Sequence, residues 1–354
     1  MSDSIRISVD AMGGDKGPRV AIEGARLFWR ERKNTSFIFH GREAELTPLL
    51  DEFPDLRKVS RIVNADIVIS MEEKPSQALR KGRGTSSMWA AIQSVKDGEA
   101  DVAISGGNTG ALMAMATFCL RPIEGISRPA IAALWPTLRT DIIVLDVGAT
   151  VGGDAKQLTD FSILGAALAR ALFDQELPTV GLLNVGTEEM KGHDEVKEAA
   201  RILHAIYHGF VEGDDIGKGT VDVVVTEGFA GNIALKTAEG TARQVGSYIR
   251  NALKADIISM LGAAIAGQAL QALRRKLDPR NINGGVFLGL NGIVIKSHGG
   301  TDEVGFKGAL SLAYEMARSR VMDKIGEGMR RFPTLSVAPS SEAAPAPETE
   351  AKSA

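Results

Sequence analysis

The chain has 354 residues, and its 41 basic and 44 acidic side chains give a formal charge of −3, which argues against a broad basic surface for nucleic acid. With 44% hydrophobic and 24% charged residues it can bury a large core, so disorder throughout the chain is excluded. A single cysteine, Cys119, excludes a disulfide framework and a thiolate zinc site, and it favours a reducing, cytoplasmic compartment.

Short apolar runs alternate with longer helical patterns, which is typical of βα units around a mostly parallel sheet flanked by helices. The predicted strands are Ile5–Asp10, Phe37–His40, Asp101–Ser105, Ala130–Leu134, Ile142–Asp146, Val180–Asn184, Val221–Thr226 and Gly292–Ser297. The predicted helices are Pro18–Arg32, Ser86–Asp97, Ala111–Leu120, Leu158–Phe173 and Asp194–Tyr207. We therefore expect one α/β domain over residues 1–333 and a disordered tail over residues 334–354, which are rich in Pro, Ala, Ser and Glu.

No export signal or membrane-spanning helix is predicted. The N-terminus begins directly with a strand-like alternation, without a basic region followed by an apolar one. The uncharged stretch 102–120 contains Gly-Gly-Asn-Thr-Gly, and the stretch 257–273 is shorter than a spanning helix needs.

Glycine residues collect where predicted strands end. Six such junctions are 10–15, 105–110, 146–150, 184–188, 227–232 and 297–301. If the strands are parallel, all six junctions meet along one edge of the sheet, where open α/β proteins bind their ligands. Glycine lets a ligand approach the backbone, and free N–H groups at a helix start receive phosphate or another oxyanion. The junction 105–110 is the best candidate, because a predicted uncharged helix follows it directly.

The motifs of several familiar sites are absent, which argues against those sites. The chain has no GxxxxGK[ST] of a P-loop, no GxGxxG after a strand and no GxSxG nucleophile elbow. His204 and His208 have helical i, i+4 spacing without an acidic or cysteine partner motif, so we predict a solvated helix face and no metal site. Cys119 lies in an apolar segment, which favours a buried thiol over a nucleophile. A reaction in which phosphate itself attacks would need no protein nucleophile.

Seven segments resemble, in order, those of the bacterial acyl-acyl carrier protein:phosphate acyltransferases, the PlsX family. They are Asp10-Ala-Met-Gly-Gly-Asp-Lys-Gly-Pro18, Lys74-Pro-Ser-Gln-Ala-Leu-Arg80, Thr85-Ser-Ser-Met88, Ser105-Gly-Gly-Asn-Thr-Gly-Ala-Leu-Met113, Asn184-Val-Gly-Thr-Glu-Glu-Met-Lys-Gly192, Thr226-Glu-Gly-Phe-Ala-Gly-Asn232 and Leu290-Asn-Gly-Ile-Val-Ile-Lys-Ser-His-Gly299. The resemblance covers residues 5–328, and several motifs in order are more specific than one glycine pattern. The chain departs from the family at Thr150, where asparagine is common, and near Thr187, where glutamate is common.

The resemblance implies transfer of a long-chain fatty acyl group from the thioester of acyl carrier protein to inorganic phosphate. The product, acyl phosphate, would serve a membrane glycerol-3-phosphate acyltransferase at the start of phospholipid synthesis. The resemblance also implies a homodimer, a fold like that of isocitrate and isopropylmalate dehydrogenases and phosphotransacetylase, and no organic cofactor.

Attack of phosphate on a thioester places negative charge on the carbonyl oxygen and then on the sulfur, so preorganised donors should dominate the site. We predict catalytic roles for Asn108, Asn184, Lys191, His193, Asn232 and His298. His193 or His298 would protonate the leaving thiolate, and Lys191 and Lys236 would neutralise phosphate. The predicted phosphate and substrate contacts are Asp10, Gly13, Gly14, Asp15, Gly107, Thr109, Gly110, Gly186, Gly228, Lys236 and Gly299. We expect the carboxylates at the sheet edge, which include Asp146 and Glu227, to orient cations rather than to touch phosphate.

A long helical pattern over about residues 240–280 carries an apolar stripe that something must cover. Core packing is one interpretation, while the resemblance implies helices at the dimer that meet the inner membrane surface. The stripe includes Ile257, Leu261 and Ile265, and a basic cluster follows it at Arg274, Arg275, Lys276 and Arg280. Because acyl carrier protein is acidic, this basic cluster is the predicted docking site.

Other functions remain open from the sequence. A phosphate acetyl- or butyryltransferase acting on acyl-coenzyme A would share the chemistry and a related fold. A nonenzymatic membrane-associated scaffold is suggested only by the apolar helical arm, and a dehydrogenase only by analogy of fold.

Overall fold

The computed structural model describes residues 4–203, 206–277 and 283–331, with backbone only for 274–277 and 331. Its strands are β1 (Ile5–Asp10), β2 (Thr35–Gly41), β3 (Ser60–Asn64), β4 (Val102–Ser105), β5 (Ala130–Trp135), β6 (Ile142–Leu145), β7 (Val180–Leu183), β8 (Tyr207–Val211), β9 (Val223–Val225), β10 (Gly285–Leu288) and β11 (Val294–Lys296). Its helices are α1 (Pro18–Glu31), α2 (Glu43–Asp51), α3 (Pro54–Arg57), α4 (Pro75–Gly82), α5 (Ser87–Lys96), α6 (Thr109–Leu120), α7 (Ala155–Phe173), α8 (Asp194–Ile202), α9 (Gly213–Lys218), α10 (Gly228–Ala252), α11 (Ile257–Ile265), α12 (Gly267–Leu277), α13 (Glu303–Arg318) and α14 (Val321–Arg331).

The strands form one sheet in the order β3-β2-β1-β4-β11-β10-β5-β6-β9-β7-β8. Neighbouring strands are parallel except at β11–β10, β10–β5 and β5–β6. The predicted mostly parallel sheet of an α/β fold is therefore confirmed.

The three antiparallel steps reverse the direction of half the sheet, so β6, β7 and β9 run opposite to β1, β4 and β11. The prediction that all six glycine junctions share one edge is therefore wrong. Two features explain the error. The connection between β5 and β6 is too short for the crossover that parallel neighbours need, and β10 was not predicted.

Helices cover both faces of the sheet, and each face has its own apolar core. In β6, Ile143 and Leu145 belong to the core on one face, which also contains Phe28 and Phe161, while Val144 belongs to the core on the other face, which contains residues of α5 and α6. This division follows from the strand geometry, because successive side chains point to opposite faces. The faces of β6 are both buried, which explains its continuous apolar sequence.

Several elements differ from the sequence predictions. The short strands β3, β8 and β10 and the helices α2, α3, α4, α9, α13 and α14 were not predicted. The helix predicted over Asp194–Tyr207 ends at Ile202, and His208 lies in β8, which pairs with β7. The interpretation of His204 and His208 as neighbours on one helix face is therefore wrong, and His204 lies outside the described residues.

Helices α10 to α12 form an arm whose side chains are mostly exposed. Helix α10 buries only Gly228 and Gly231, and α11 buries no side chain. Ile257 is 77% exposed and Ile265 is 90% exposed. Core packing of the apolar stripe is therefore wrong for the described chain.

Parts of the predicted arm and tail fall outside the description. The backbone of Arg274, Arg275 and Lys276 belongs to α12, while Arg280 and the tail 334–354 lie outside the described residues. Within the described ranges, no helix has both the length and the hydropathy to cross a bilayer.

Candidate active site

Three glycine loops meet at the carboxyl ends of β1, β4 and β11. The backbone N–H of Asp15 donates to the carbonyl of Gly299 at 2.9 Å. A Cβ on Gly13 would lie 2.8 Å from the nitrogen of Gly107, and one on Gly106 would lie 3.1 Å from the carbonyl oxygen of Gly13. These loops touch backbone to backbone, so glycine is required here first for packing.

The buried side chain of Asp10 connects the first two of these loops through hydrogen bonds. Its Oδ2 accepts from the Ser105 hydroxyl at 2.6 Å, and Ser105 Oγ accepts from the backbone N–H of Gly107 at 3.0 Å. Burial raises the pKa of the Asp10 carboxyl, since its side chain is removed from water. Asp10 thus positions a backbone amide, and among the described residues no lysine or arginine lies within ion-pair distance of it.

Asn108 caps helix α6. Its Oδ1 accepts from the N–H of Ala111 at 3.0 Å, and its Nδ2 donates to the carbonyls of Met71 and Glu73 at 2.7 and 2.9 Å. Both ends of the amide are therefore engaged within the protein. The cap orients the N-terminus of α6, and its first residue, Thr109, lines the cavity described below.

A second loop group surrounds Asp146 at the end of β6. Asp146 Oδ1 accepts from the N–H groups of Ile131, Gly148 and Ala149 at 3.0, 3.1 and 2.9 Å. Its Oδ2 accepts from the N–H and the hydroxyl of Thr150 at 2.8 and 2.9 Å. Burial raises the pKa of Asp146, and the backbone donors oppose that shift. The carboxylate is the anchor of this loop.

The loop of Asp146 is joined to the start of α10. The Thr150 hydroxyl accepts from the N–H of Gly228 at 3.1 Å, while Glu227 accepts from the N–H groups of Phe229 and Ala230 at 2.9 and 2.7 Å. Thr150 is buried, and its hydroxyl links this loop to the start of α10. Glu227, like Asp10 and Asp146, binds backbone amides instead of the cations we expected it to orient.

A cavity of about 810 Å³ lies between α10 and the central strands and joins the two loop groups. Residues 131 and 133–135 of β5 line it, so the cavity follows roughly 13 Å of extended strand. Its apolar wall includes Ile131, Ala133, Trp135, Val147, Leu235 and Ala242. Its polar residues include Thr109, Asn232, Lys236, Glu239, Arg243, Lys296 and His298. One cavity therefore combines a long apolar wall with a cluster of charges.

Glu239 organises that charge cluster. Lys236 Nζ lies 3.0 Å from Glu239 Oε2, and His298 Nε2 lies 3.4 Å from Glu239 Oε1. Arg243 is 3.7 Å from the same carboxylate. The hydrogen bond with His298, aided by Lys236, lowers the pKa of Glu239 to about 2. Glu239 therefore stays ionised at any ordinary pH.

Sequence reasoning missed Glu239 and Lys296. The spacing of Asn232, Lys236, Glu239 and Arg243 places all four on one face of a helix, and that periodicity was the available signal. Lys296 offered no comparable pattern, because a lysine that ends a strand is ordinarily exposed.

Lys296 ends β11 and reaches the cavity from the sheet side. Burial lowers the pKa of its ammonium to about 8, and Lys236 lowers it further, while Asp15 and Asp10 oppose the shift. Its Nζ donates to the carbonyl of Ser297. Among the described residues, no carboxylate lies within ion-pair distance of Lys296.

The structure separates four predicted residues from the cavity. Asn184, Gly186, Lys191 and His193 belong to the β7–α8 loop, which contributes nothing to the cavity lining within the described chain. Asn184 Nδ2 donates to the carbonyl of Lys191 at 3.0 Å, and Lys191 Nζ pairs with Glu188 at 2.8 Å. The pairing with Glu188 raises the pKa of Lys191. The polar side chains of this loop therefore bind to one another and do not point to a shared site with the cavity.

The other predicted residues divide between the cavity and its rim. Thr109, Asn232, Lys236 and His298 line the cavity. Gly13, Gly14, Gly299 and His298 line a small recess beside it. Gly107, Gly110 and Gly228 are packing positions, where an added Cβ would meet Met88, Pro75 and Thr150 respectively. In the part of the chain that the structure describes, no three His, Cys, Asp or Glu side chains are grouped as metal ligands.

Comparison with known proteins agrees with the motifs. The family model described as "Fatty acid synthesis protein" matches residues 5–324. A phosphate acyltransferase of Chelativorans sp. (strain BNC1) is 61% identical over 326 residues, which cover 90% of this chain and 93% of the relative. A phosphate acyltransferase of Xanthobacter autotrophicus is 59% identical over 334 residues, covering 93% and 94%.

Solved structures show the same fold at low identity. The EutD phosphotransacetylase from Staphylococcus aureus is 16% identical with a TM-score of 0.57, covering 90% of this chain and 95% of that one. A phosphotransacetylase from Streptococcus pyogenes is 16% identical with a TM-score of 0.59, covering 91% and 95%. The family match and the close relatives together confirm what the seven motifs predicted: this chain belongs to the phosphate acyltransferase (PlsX) family.

Proposed function

We propose that this phosphate acyltransferase transfers a long-chain fatty acyl group from the thioester of acyl carrier protein to inorganic phosphate, and so supplies acyl phosphate for phospholipid synthesis. The observation that carries the proposal is the cavity in which an apolar wall along β5 ends at the cluster of Lys236, Glu239, Lys296 and His298. The apolar wall suits a fatty acyl chain, because such a chain gains free energy by leaving water. The cationic cluster suits phosphate and the charge that develops on the thioester.

The proposed mechanism uses no protein nucleophile. A phosphate oxygen attacks the thioester carbon, the carbonyl oxygen becomes negative, and the carbon–sulfur bond then breaks. Lys236 stabilises the phosphate charge, and the imidazolium of His298, held by Glu239, donates a proton to the departing sulfur. The proton lost by phosphate in forming acyl phosphate restores the charge of His298, so the net proton passes from phosphate to the thiol.

This function predicts the products of purified protein. With palmitoyl-acyl carrier protein and phosphate, acyl phosphate and free carrier thiol should form in equal amounts, measured by mass spectrometry and thiol titration. Omission of phosphate should stop thiol release. Acetyl- and palmitoyl-coenzyme A are the comparison substrates, and a higher kcat/KM for acetyl-coenzyme A would instead assign a phosphate acetyltransferase. If no thiol is released from any of these substrates, the result would favour the nonenzymatic scaffold over an acyltransferase.

We also propose a homodimer in which the arm α10–α12 contacts the inner membrane surface, near a glycerol-3-phosphate acyltransferase. The exposed side chains of α11 support this proposal, since exposed apolar helices of this kind need a partner surface.

The basic cluster at Arg274, Arg275, Lys276 and Arg280 is the proposed docking site for acyl carrier protein. In the same proposal, residues 1–333 form one domain of the isocitrate/isopropylmalate dehydrogenase-like class.

The arm proposal predicts loss of vesicle binding when its apolar residues are charged. Ile257→Glu combined with Leu261→Glu should lower the fraction bound to anionic vesicles about tenfold or more, measured by cosedimentation, because two apolar anchors are lost. Gln268→Glu combined with Gln271→Glu adds the same charge at exposed polar positions, and it should bind more tightly than the first variant. Equal binding by both double variants would contradict the assignment.

A further inference from the structure

Lys296 is a buried cation with no assigned task in the proposed mechanism. Its side chain is withdrawn from water, yet no described carboxylate pairs with it. Buried charges in proteins are ordinarily paired, since removing an ammonium from water without a partner is costly. An unpaired ammonium that lines a ligand cavity therefore has a place for an anion beside it.

The second observation is that two ammonium groups from different elements line the same cavity. Lys236 comes from α10 and Lys296 from β11, and the charge of Lys236 disfavours the charged form of Lys296. Glu239 compensates Lys236 but is not within ion-pair distance of Lys296. An anion placed between the two lysines would relieve their repulsion and pair Lys296.

The groups that face Lys296 from the surrounding elements are few. Asp10 and Asp15 belong to the β1 end, Lys236, Glu239 and Arg243 to α10, and His298 to the loop after β11. On the cavity wall itself, Lys236, Arg243 and Lys296 are cations and Glu239 is the anion, so the balance is positive before His298 is counted. A dianion such as phosphate matches this balance better than a neutral ligand does.

We propose that Lys296 is a phosphate-binding residue of this enzyme, that it holds the attacking phosphate together with Lys236, and that phosphate binding is coupled to protonation of Lys296. The inference rests on the proposed function, since it names the residue that receives the phosphate of that reaction. The phosphate dianion stabilises the ammonium, so binding at mildly alkaline pH draws a proton onto Lys296.

The test is the KM for phosphate of wild type and Lys296→Met, measured between pH 6.5 and 9.5. Methionine keeps the unbranched apolar stem of the side chain and removes the charged group. Near pH 6.5 we expect the KM of the variant for phosphate to be at least about tenfold higher than that of wild type, because the variant lacks one charge-assisted contact. As pH rises through about 8, wild-type Lys296 loses its proton, so the ratio of the two KM values should fall toward one. The ionisation of phosphate itself affects both proteins and cancels in this ratio.

Two further variants make the result specific. Lys296→Arg keeps the charge at all these pH values, so it should bind phosphate more tightly than Lys296→Met and lack the alkaline rise in KM that wild type shows. Lys58→Met removes an exposed lysine remote from the cavity and should behave as wild type. A KM ratio of one, or a ratio above one that does not change with pH, would overturn the proposal.

The two proposals can fail separately. If wild-type protein forms no acyl phosphate from any thioester, the proposed function fails, and the phosphate site is then tested by the rise in Tm that inorganic phosphate produces. Wild type should show a larger rise than Lys296→Met near pH 7, and equal rises would overturn the site. If wild type is active while Lys296→Met keeps its phosphate KM, only the inference fails.

Discussion

Replacement of Asp146 by alanine is expected to lower the free energy of unfolding by about 3–5 kcal/mol, because it removes the acceptor for several buried donors at once. The N–H groups of Ile131, Gly148, Ala149 and Thr150 would lose their partner, as would the Thr150 hydroxyl. For a chain of this size the Tm should fall by roughly 5 °C, measured by calorimetry. Activity should fall too, because the loop of Asp146 sets the start of α10.

Three comparison variants separate this anchor from a general effect of charge removal. Asp146→Asn keeps one acceptor oxygen and should be intermediate. Thr150→Val loses the link to Gly228 and should cost about 1–2 kcal/mol. Asp141→Ala removes an exposed carboxylate between β5 and β6 and should change stability by less than about 0.5 kcal/mol. An Asp146→Ala protein as stable as Asp141→Ala would show that the loop does not depend on the carboxylate.

Replacement of His298 by glutamine is expected to lower kcat for acyl phosphate formation about 100-fold or more, the ordinary contribution of a general acid. His298 lines the cavity, whereas His193 precedes α8 and is absent from the cavity lining. His193→Gln is therefore the matched control and should stay within about twofold of wild type. A large loss with His193→Gln and none with His298→Gln would assign the proton donor to the β7–α8 loop instead.

Glu239→Gln tests the role of His298 as proton donor by removing the carboxylate that pairs with it. The loss of the carboxylate should lower kcat about tenfold, because the imidazolium loses its stabilising charge, and Glu239→Asp should recover part of it. The wild-type pKa of Glu239 is lowered, so its ion pairs are complete above the ordinary carboxyl pKa of 4.5 and are lost only as pH falls through about 2. Because a general acid acts in its protonated form, the alkaline limb of the pH profile of kcat should shift toward lower pH in Glu239→Gln, where the imidazolium is less stable. A kcat and pH profile equal to those of wild type would remove Glu239 from the proposed mechanism.

The candidate site was partly predictable from residue order. Thr109, Asn232, Lys236 and His298 were predicted, and all four line the cavity. Lys191 belongs to an equally glycine-rich junction and lies outside the lining, because β7 is separated from β6 by β9. A motif shows that a loop is unusual, but the sheet order decides which loops meet.

By itself, the sequence determined the family, the alternation of strands and helices, the glycine junctions and the apolar stripe of the arm, since each depends on residues close together along the chain. Only the tertiary structure decided the direction of β6, β7 and β9, the cavity beneath α10, and the presence of Lys236 and Lys296 in that one cavity. These features depend on contacts between distant segments, and local periodicity carries no information on strand order or direction. For the same reason, the presence of Glu239 and Lys296 in one cavity follows only from the tertiary structure, in which α10 and β11 both line it.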